Sequence, residues 1–151
     1  MAGSLGRVLL VDDQPHVAQL LRDALQDFGY TVKIALTPGE ALGLIGAFQP
    51  DVLVLDLWGP RVSGPAALEA FGRRDPDLPV IVITANRDLE AARAVLATVF
   101  DYVPTPIDLD VVQRAVAAAV VERAHRASLR RRACDPGRRP HGEGAHDPCR
   151  R

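Results

Sequence analysis

Asp12 and Asp13 close one short apolar run, Val8-Leu9-Leu10-Val11, and Asp56 closes another, Val52-Leu53-Val54-Leu55. Runs this short and this rich in valine and leucine read as strands covered on both faces of a parallel sheet. The carboxylates therefore fall where two strands stop, and in open α/β sheets ligands bind in the crevice beyond the carboxyl ends of the strands. Acids gathered at one rim repel each other unless something neutralises them. A hard divalent cation with oxygen ligands does so, and Mg²⁺ keeps coordination positions open for phosphate oxygens. The plainer alternative is that each aspartate caps the helix after it, as strand-end aspartates commonly do. Capping does not call for paired acids opposite a third strand's acid, so convergence at one site is the expectation.

The elements that would position these residues alternate strand and helix five times between residues 7 and 121. After the first strand, Pro15 suits a first helical turn, and Val17, Leu20, Leu21, Ala24, Leu25 and Phe28 recur at helical spacing until Gly29 stops the helix. A second strand spans Thr31 to Leu36. Thr37 and Glu40 then have the spacing of a capping box, ahead of a helix with Ala41, Leu44, Ile45 and Phe48 on one face. The third strand ends at Asp56. Leu68 and Phe71 support a helix before Pro76 and Pro79, and the fourth strand, Val80 to Ile83, ends at Thr84. Leu89, Ala92 and Leu96 propose a fourth helix. Asp101 to Val103 propose a fifth strand, whose following Pro104 and Pro106 argue for a sheet edge. Asp108 reads as the cap of a last helix with Leu109, Val112, Val116 and Val120 inward, with room to run through about residue 132. Right-handed crossovers then give a doubly wound, five-stranded parallel sheet of flavodoxin-like type, strand order 2-1-3-4-5.

At 151 residues with 48% hydrophobic and 25% charged content, the chain has enough apolar side chain for one buried core. Every apolar run is broken by charge, Pro or Gly within about ten residues, which excludes a membrane-spanning helix, and the start lacks a basic-then-apolar leader. A cytoplasmic protein without membrane contact is expected. The net charge of −1 hides an asymmetry: residues 1–121 carry 9 basic against 15 acidic side chains, and residues 122–151 carry 9 against 4. Residues 1–121 are expected to form the folded domain. Residues 133–151, rich in Arg, Gly and Pro with almost nothing apolar, are expected to be a disordered tail.

In order along the chain, Asp12-Asp13 after Val11, the run Asp51 to Leu57 containing Asp56, Gly59-Pro60 with Gly64, Ile83-Thr84-Ala85, and Asp101-Tyr102-Val103 ahead of Pro106 resemble the receiver domain of two-component response regulators. The match covers about residues 6–121. The resemblance implies that Asp56 accepts a phosphoryl group from a histidine kinase or phosphotransfer protein. It implies further that Asp12, Asp13, Asp56 and the main-chain carbonyl of Trp58 hold Mg²⁺. Thr84 would hydrogen-bond the phosphoryl group and Tyr102 would rotate inward in response, altering the surface around the fourth helix, fifth strand and fifth helix. Thr84 as a turn residue and Tyr102 as ordinary edge packing are the plainer readings of those two positions. Apart from self-phosphorylation and self-dephosphorylation, no enzyme activity is implied, and no organic cofactor.

One position departs from the family pattern. The lysine usual before the proline after the fifth strand is replaced by Thr105, and the chain's only lysine is Lys33. Losing that charge-assisted hydrogen bond is worth about 1.5–3 kcal/mol, or roughly ten- to a hundredfold. Arg87, three residues after Thr84, is a candidate substitute cation. Thr105 therefore keeps a second reading open, a degenerate receiver that acts as an interaction module without phosphorylation. The expected output is a downstream protein partner or a homodimer through the last helices, since residues 122–151 are too few and too polar for another core. Arg130-Arg131-Arg132 and Arg138-Arg139 lack interleaved aromatics, so nucleic acid is not an expected partner. Cys134, His141, His146 and Cys149 match no familiar zinc spacing, and both cysteines are expected as free thiols.

Overall fold

The computed structural model describes residues 3–56, 64–84, 99–104 and 106–134, with the main chain alone described at 64, 65 and 84. Five strands, β1 (Arg7–Val11), β2 (Thr31–Ala35), β3 (Val52–Asp56), β4 (Val80–Thr84) and β5 (Asp101–Pro104), pair in parallel in the order β2-β1-β3-β4-β5. The described helices are α1 (Pro15–Asp27), α2 (Pro38–Phe48), α3 (Gly64–Arg74) and α4 (Leu109–Ala133). The helix expected around Leu89, Ala92 and Leu96 lies outside the described residues.

The unbroken apolar strands are explained by two cores, one on each face of the sheet. Because side chains alternate along a strand, Val8 and Leu10 of β1 and Val52 and Val54 of β3 face α1 and α4, meeting Leu21, Leu25, Val112 and Val116. Leu9, Val11, Leu53 and Leu55 face the other way, onto Ala41 and Ile45 of α2 and Leu68 and Phe71 of α3. Burial on both faces holds β1 and β3 in one register, since a one-residue slip would exchange the two sets.

Local chemistry sets the element ends. Thr37 Oγ1 accepts from Glu40 N at 3.2 Å, while Glu40 Oε2 accepts from Leu36 N at 3.1 Å, so the expected capping box forms with its return bond one residue early. Gly29 follows α1 at φ 104°, a left-handed conformation that strains any residue with a β-carbon. Asp108 caps α4 by accepting from Asp110 N at 2.9 Å. Pro104 completes β5 at the sheet edge, where no neighbouring strand needs its missing N–H.

The helix faces differ from the expected stripes in detail. In α1, Ala18, Leu21 and Leu25 are buried, whereas Leu20 and Phe28 are exposed. In α4 the buried set is Val112, Ala115, Val116 and Ala119, with Leu109 exposed. In both helices alanines, Ala18 in α1 and Ala115 and Ala119 in α4, share the buried face with the larger residues, and the stripe is shifted from the expected one. The second strand ends at Ala35, leaving Leu36 exposed. The last helix is continuous to Ala133, and Cys134, expected as a free thiol, is disulfide-bonded; the expectation rested on cellular redox poise, which does not bear on whether two sulfurs are in reach. Among the described residues no helix is long and apolar enough to cross a membrane.

Candidate functional site

The parallel registers bring the strand-end acids together. Val11 is level with Leu55 across the β1–β3 pair, so Asp12 and Asp56 are the next residues along the two strands. Asp56 is level with Ile83 on β4, which places Thr84 one step further at the same rim. The ladder to β2 continues past β1, with Asp12 N donating to Ala35 O at 3.1 Å, and this holds the Asp12 main chain at the sheet's carboxyl edge.

Asp12 and Asp56 are the two buried charged residues among those described, 2% and 7% exposed. They line a crevice with Leu10, Val11, Leu21, Val54 and Ile83, so both carboxyls border apolar side chains. Burial is the main cause that raises the Asp12 pKa above its ordinary value; the Gln14 N–H and the Asp56 side chain oppose it, and the charge of Asp13 adds to it. The Asp12 and Asp56 carboxyls are within hydrogen-bonding reach of each other. Two carboxylates in that relation need either a shared proton or a cation.

Asp12 also does the plainer work of a turn, since its Oδ1 accepts from Gln14 N at 2.8 Å, directly ahead of Pro15. That partner was not anticipated from the sequence, although an aspartate two residues before the residue preceding a helix-starting proline is a recognisable turn signal. The other oxygen, Asp12 Oδ2, is buried without a hydrogen-bond donor, and so is Asp13 Oδ1. Orphaned carboxylate oxygens of this kind, all hard donors, fit a Mg²⁺-type cation. Among the described residues no three His, Cys, Asp or Glu side chains converge closely enough to form a metal cluster by themselves. The structure thus joins Asp12 to Asp56 and leaves Asp13 beside them with one unsatisfied oxygen.

Of the other expected site residues, Tyr102 is on β5 and 44% exposed. Thr84 ends β4 at the expected place, with its main chain described. Trp58, Arg87 and Thr105 lie outside the described residues.

Residues 8–117 match the family model for the response regulator receiver domain. The chain is 39% identical over 120 residues to the DNA-binding transcriptional regulator NtrC of Salmonella typhimurium, a match covering 79% of this chain and 24% of that protein. It is 39% identical over 105 residues to the response regulator MprA of Mycobacterium ulcerans, covering 69% of this chain and 45% of that one. The chain therefore spans less than half the length of these relatives. Among solved structures, the signal receiver domain of a Luxo repressor protein from Vibrio parahaemolyticus superimposes with a TM-score of 0.74 at 26% identity, covering 82% of this chain and 96% of that one.

Proposed function

Since the chain belongs to the response regulator receiver domain family, we propose that it accepts a phosphoryl group on Asp56 from a histidine kinase or phosphotransfer protein and signals through changed protein contacts. The observation that carries this reading is the buried contact between Asp56 and Asp12 at the ends of β3 and β1, beside two carboxylate oxygens that lack donors.

Phosphoryl transfer depends more on positioning and charge neutralisation than on covalent assistance. Asp56 is fixed by a strand buried on both faces, so its carboxylate is held at the rim for in-line attack on phosphorus. The new bond joins an Asp56 oxygen to phosphorus as the bond from phosphorus to the donor's imidazole nitrogen breaks. Asp12, Asp13, Asp56 and the Trp58 carbonyl are the proposed holders of Mg²⁺, which when bound neutralises charge on the equatorial phosphoryl oxygens. Thr84, at the end of the adjacent strand, is the proposed hydrogen-bond donor to the acyl phosphate. Tyr102, exposed in this structure, is the proposed follower of that loop movement. The protein would act as a stoichiometric acceptor, with no turnover beyond its own phosphorylation and dephosphorylation.

The absence of a lysine at position 105 favours a second reading, in which the receiver surface works without phosphate. Intact mass after incubation with Mg²⁺ and a small phosphodonor separates the two. One added phosphoryl group on wild type and none on Asp56→Asn is expected; no addition to wild type even with a competent kinase would overturn this reading and favour the interaction module.

A further inference from the structure

At the edge of the sheet opposite the acidic crevice, α4 passes the last strand residue and keeps going. Val120 lies over Gly6, just ahead of β1, where an added β-carbon would stand 3.0 Å from Val120 Cγ2. Residues 121–133 therefore form an arm of about 20 Å of helix beyond the sheet. A polar helix end of this kind has no apolar reason to stay against the body. It is nevertheless held there by the loop between α3 and β4, residues 75–79.

Two Arg–Asp pairs make the attachment. Arg130 meets Asp77 side-on, with Nε 2.8 Å from Oδ2 and Nη2 donating to Oδ1 at 3.1 Å. Two helical turns earlier on the same face, Arg123 Nη1 lies 2.9 Å from Asp75 Oδ2, an ion contact without hydrogen-bond alignment. All four side chains are about four-fifths buried, with exposures of 20% and 18% for the first pair along the helix and 24% and 19% for the second. Asp75 also shapes the loop, since its Oδ1 accepts from Asp77 N at 3.1 Å and so presents both carboxylates to the helix. A bidentate guanidinium–carboxylate pair is directional, unlike the exposed Arg73–Glu69 contact at 3.7 Å.

We propose that Asp75 and Asp77 form an ionic latch that fixes the direction in which the C-terminal arm of α4 leaves the receiver. The latched loop runs directly into β4, whose other end is Thr84 at the candidate site, so the arm is tied to an element that spans the sheet from one edge to the other. The latch does not depend on phosphorylation, and its test is independent of the proposed phosphoryl acceptance.

Amide hydrogen exchange of the whole chain, read over residues 121–133 and over the strands, is the decisive measurement. Asp77→Asn is expected to speed exchange in the arm by about tenfold or more while the strands keep wild-type protection, because it leaves the Arg130 guanidinium without its charge partner. Raising the salt to about 1 M, where the Debye length is about 3 Å, is expected to act in the same direction but more weakly, since the pairs are mostly buried. The exchanged pair Asp77→Arg with Arg130→Glu is expected to recover most of the protection. Arm exchange in Asp77→Asn within twofold of wild type, failure of the exchanged pair to recover, or equal loss of protection throughout the strands would each overturn the latch.

Discussion

A carboxyl that is 2% exposed, with one oxygen lacking any donor, costs the metal-free protein stability, and Asp12 is in that position. Below the ordinary aspartate pKa of about 3.9, folded and unfolded chains both hold the proton and the group makes no difference. As pH rises from there through the raised folded value, the native state binds the proton more tightly than the unfolded one, so stability falls. In EDTA, wild type is therefore expected to lose stability across that window, and Asp12→Asn to flatten the loss and gain about 1 kcal/mol at neutral pH. Urea unfolding at a series of pH values checks both; a variant less stable than wild type in EDTA would mean that Asp12 is held by partners the geometry does not show. Thr105→Lys tests the other unusual residue. Restoring the ammonium group is expected to raise the rate of phosphorylation by a small phosphodonor by about tenfold, and time-resolved intact mass would show no change if position 105 has no part in the reaction.

At the scale of elements, α1 starts at Pro15, three residues beyond Asp12, and carries Leu20 63% exposed on its outer face. A large apolar side chain left in water on the helix that follows Asp12 is a natural contact for an incoming phosphodonor protein. Leu20→Glu is expected to slow transfer from a phosphorylated kinase domain by about tenfold, a loss of one buried leucine contact, while labelling by a small phosphodonor stays unchanged. Equal rates with the kinase would remove α1 from the docking surface. Leu20 also shows where the sequence was readable and where it was not. The strands were legible because the interior positions of β1, β3 and β4 are apolar on both faces, and the acids after β1 and at the end of β3 stood out against them. The helix faces were less so: a stripe through Leu20 and Phe28 fits the helical period as well as one through Ala18, Leu21 and Leu25, and only packing against the sheet decides between them. The Arg123–Asp75 and Arg130–Asp77 pairs were invisible for a different reason. They join residues about fifty positions apart, and no local pattern marks an arginine as paired rather than solvated.

The described residues form one sheet with a core on each face, and the candidate site lies at the carboxyl ends of β1 and β3, which both cores share. Unfolding either core disorders β1 or β3 and with them Asp12 or Asp56, so cation binding at the rim is linked to the stability of the whole domain. A cation that binds only the folded chain stabilises it by about 2.7 kcal/mol at a hundredfold excess over Kd, worth roughly 5–11 °C in Tm for a domain of this size. Mg²⁺ is expected to raise the unfolding midpoint of wild type by that order. Asp12→Asn, the more stable protein in EDTA, is expected to gain almost nothing, so the two proteins should exchange rank as Mg²⁺ is added. Calorimetric scans at increasing Mg²⁺ measure this directly. Parallel rises in both proteins would place the cation elsewhere, and no rise in wild type would leave the buried pair of Asp12 and Asp56 to share a proton instead.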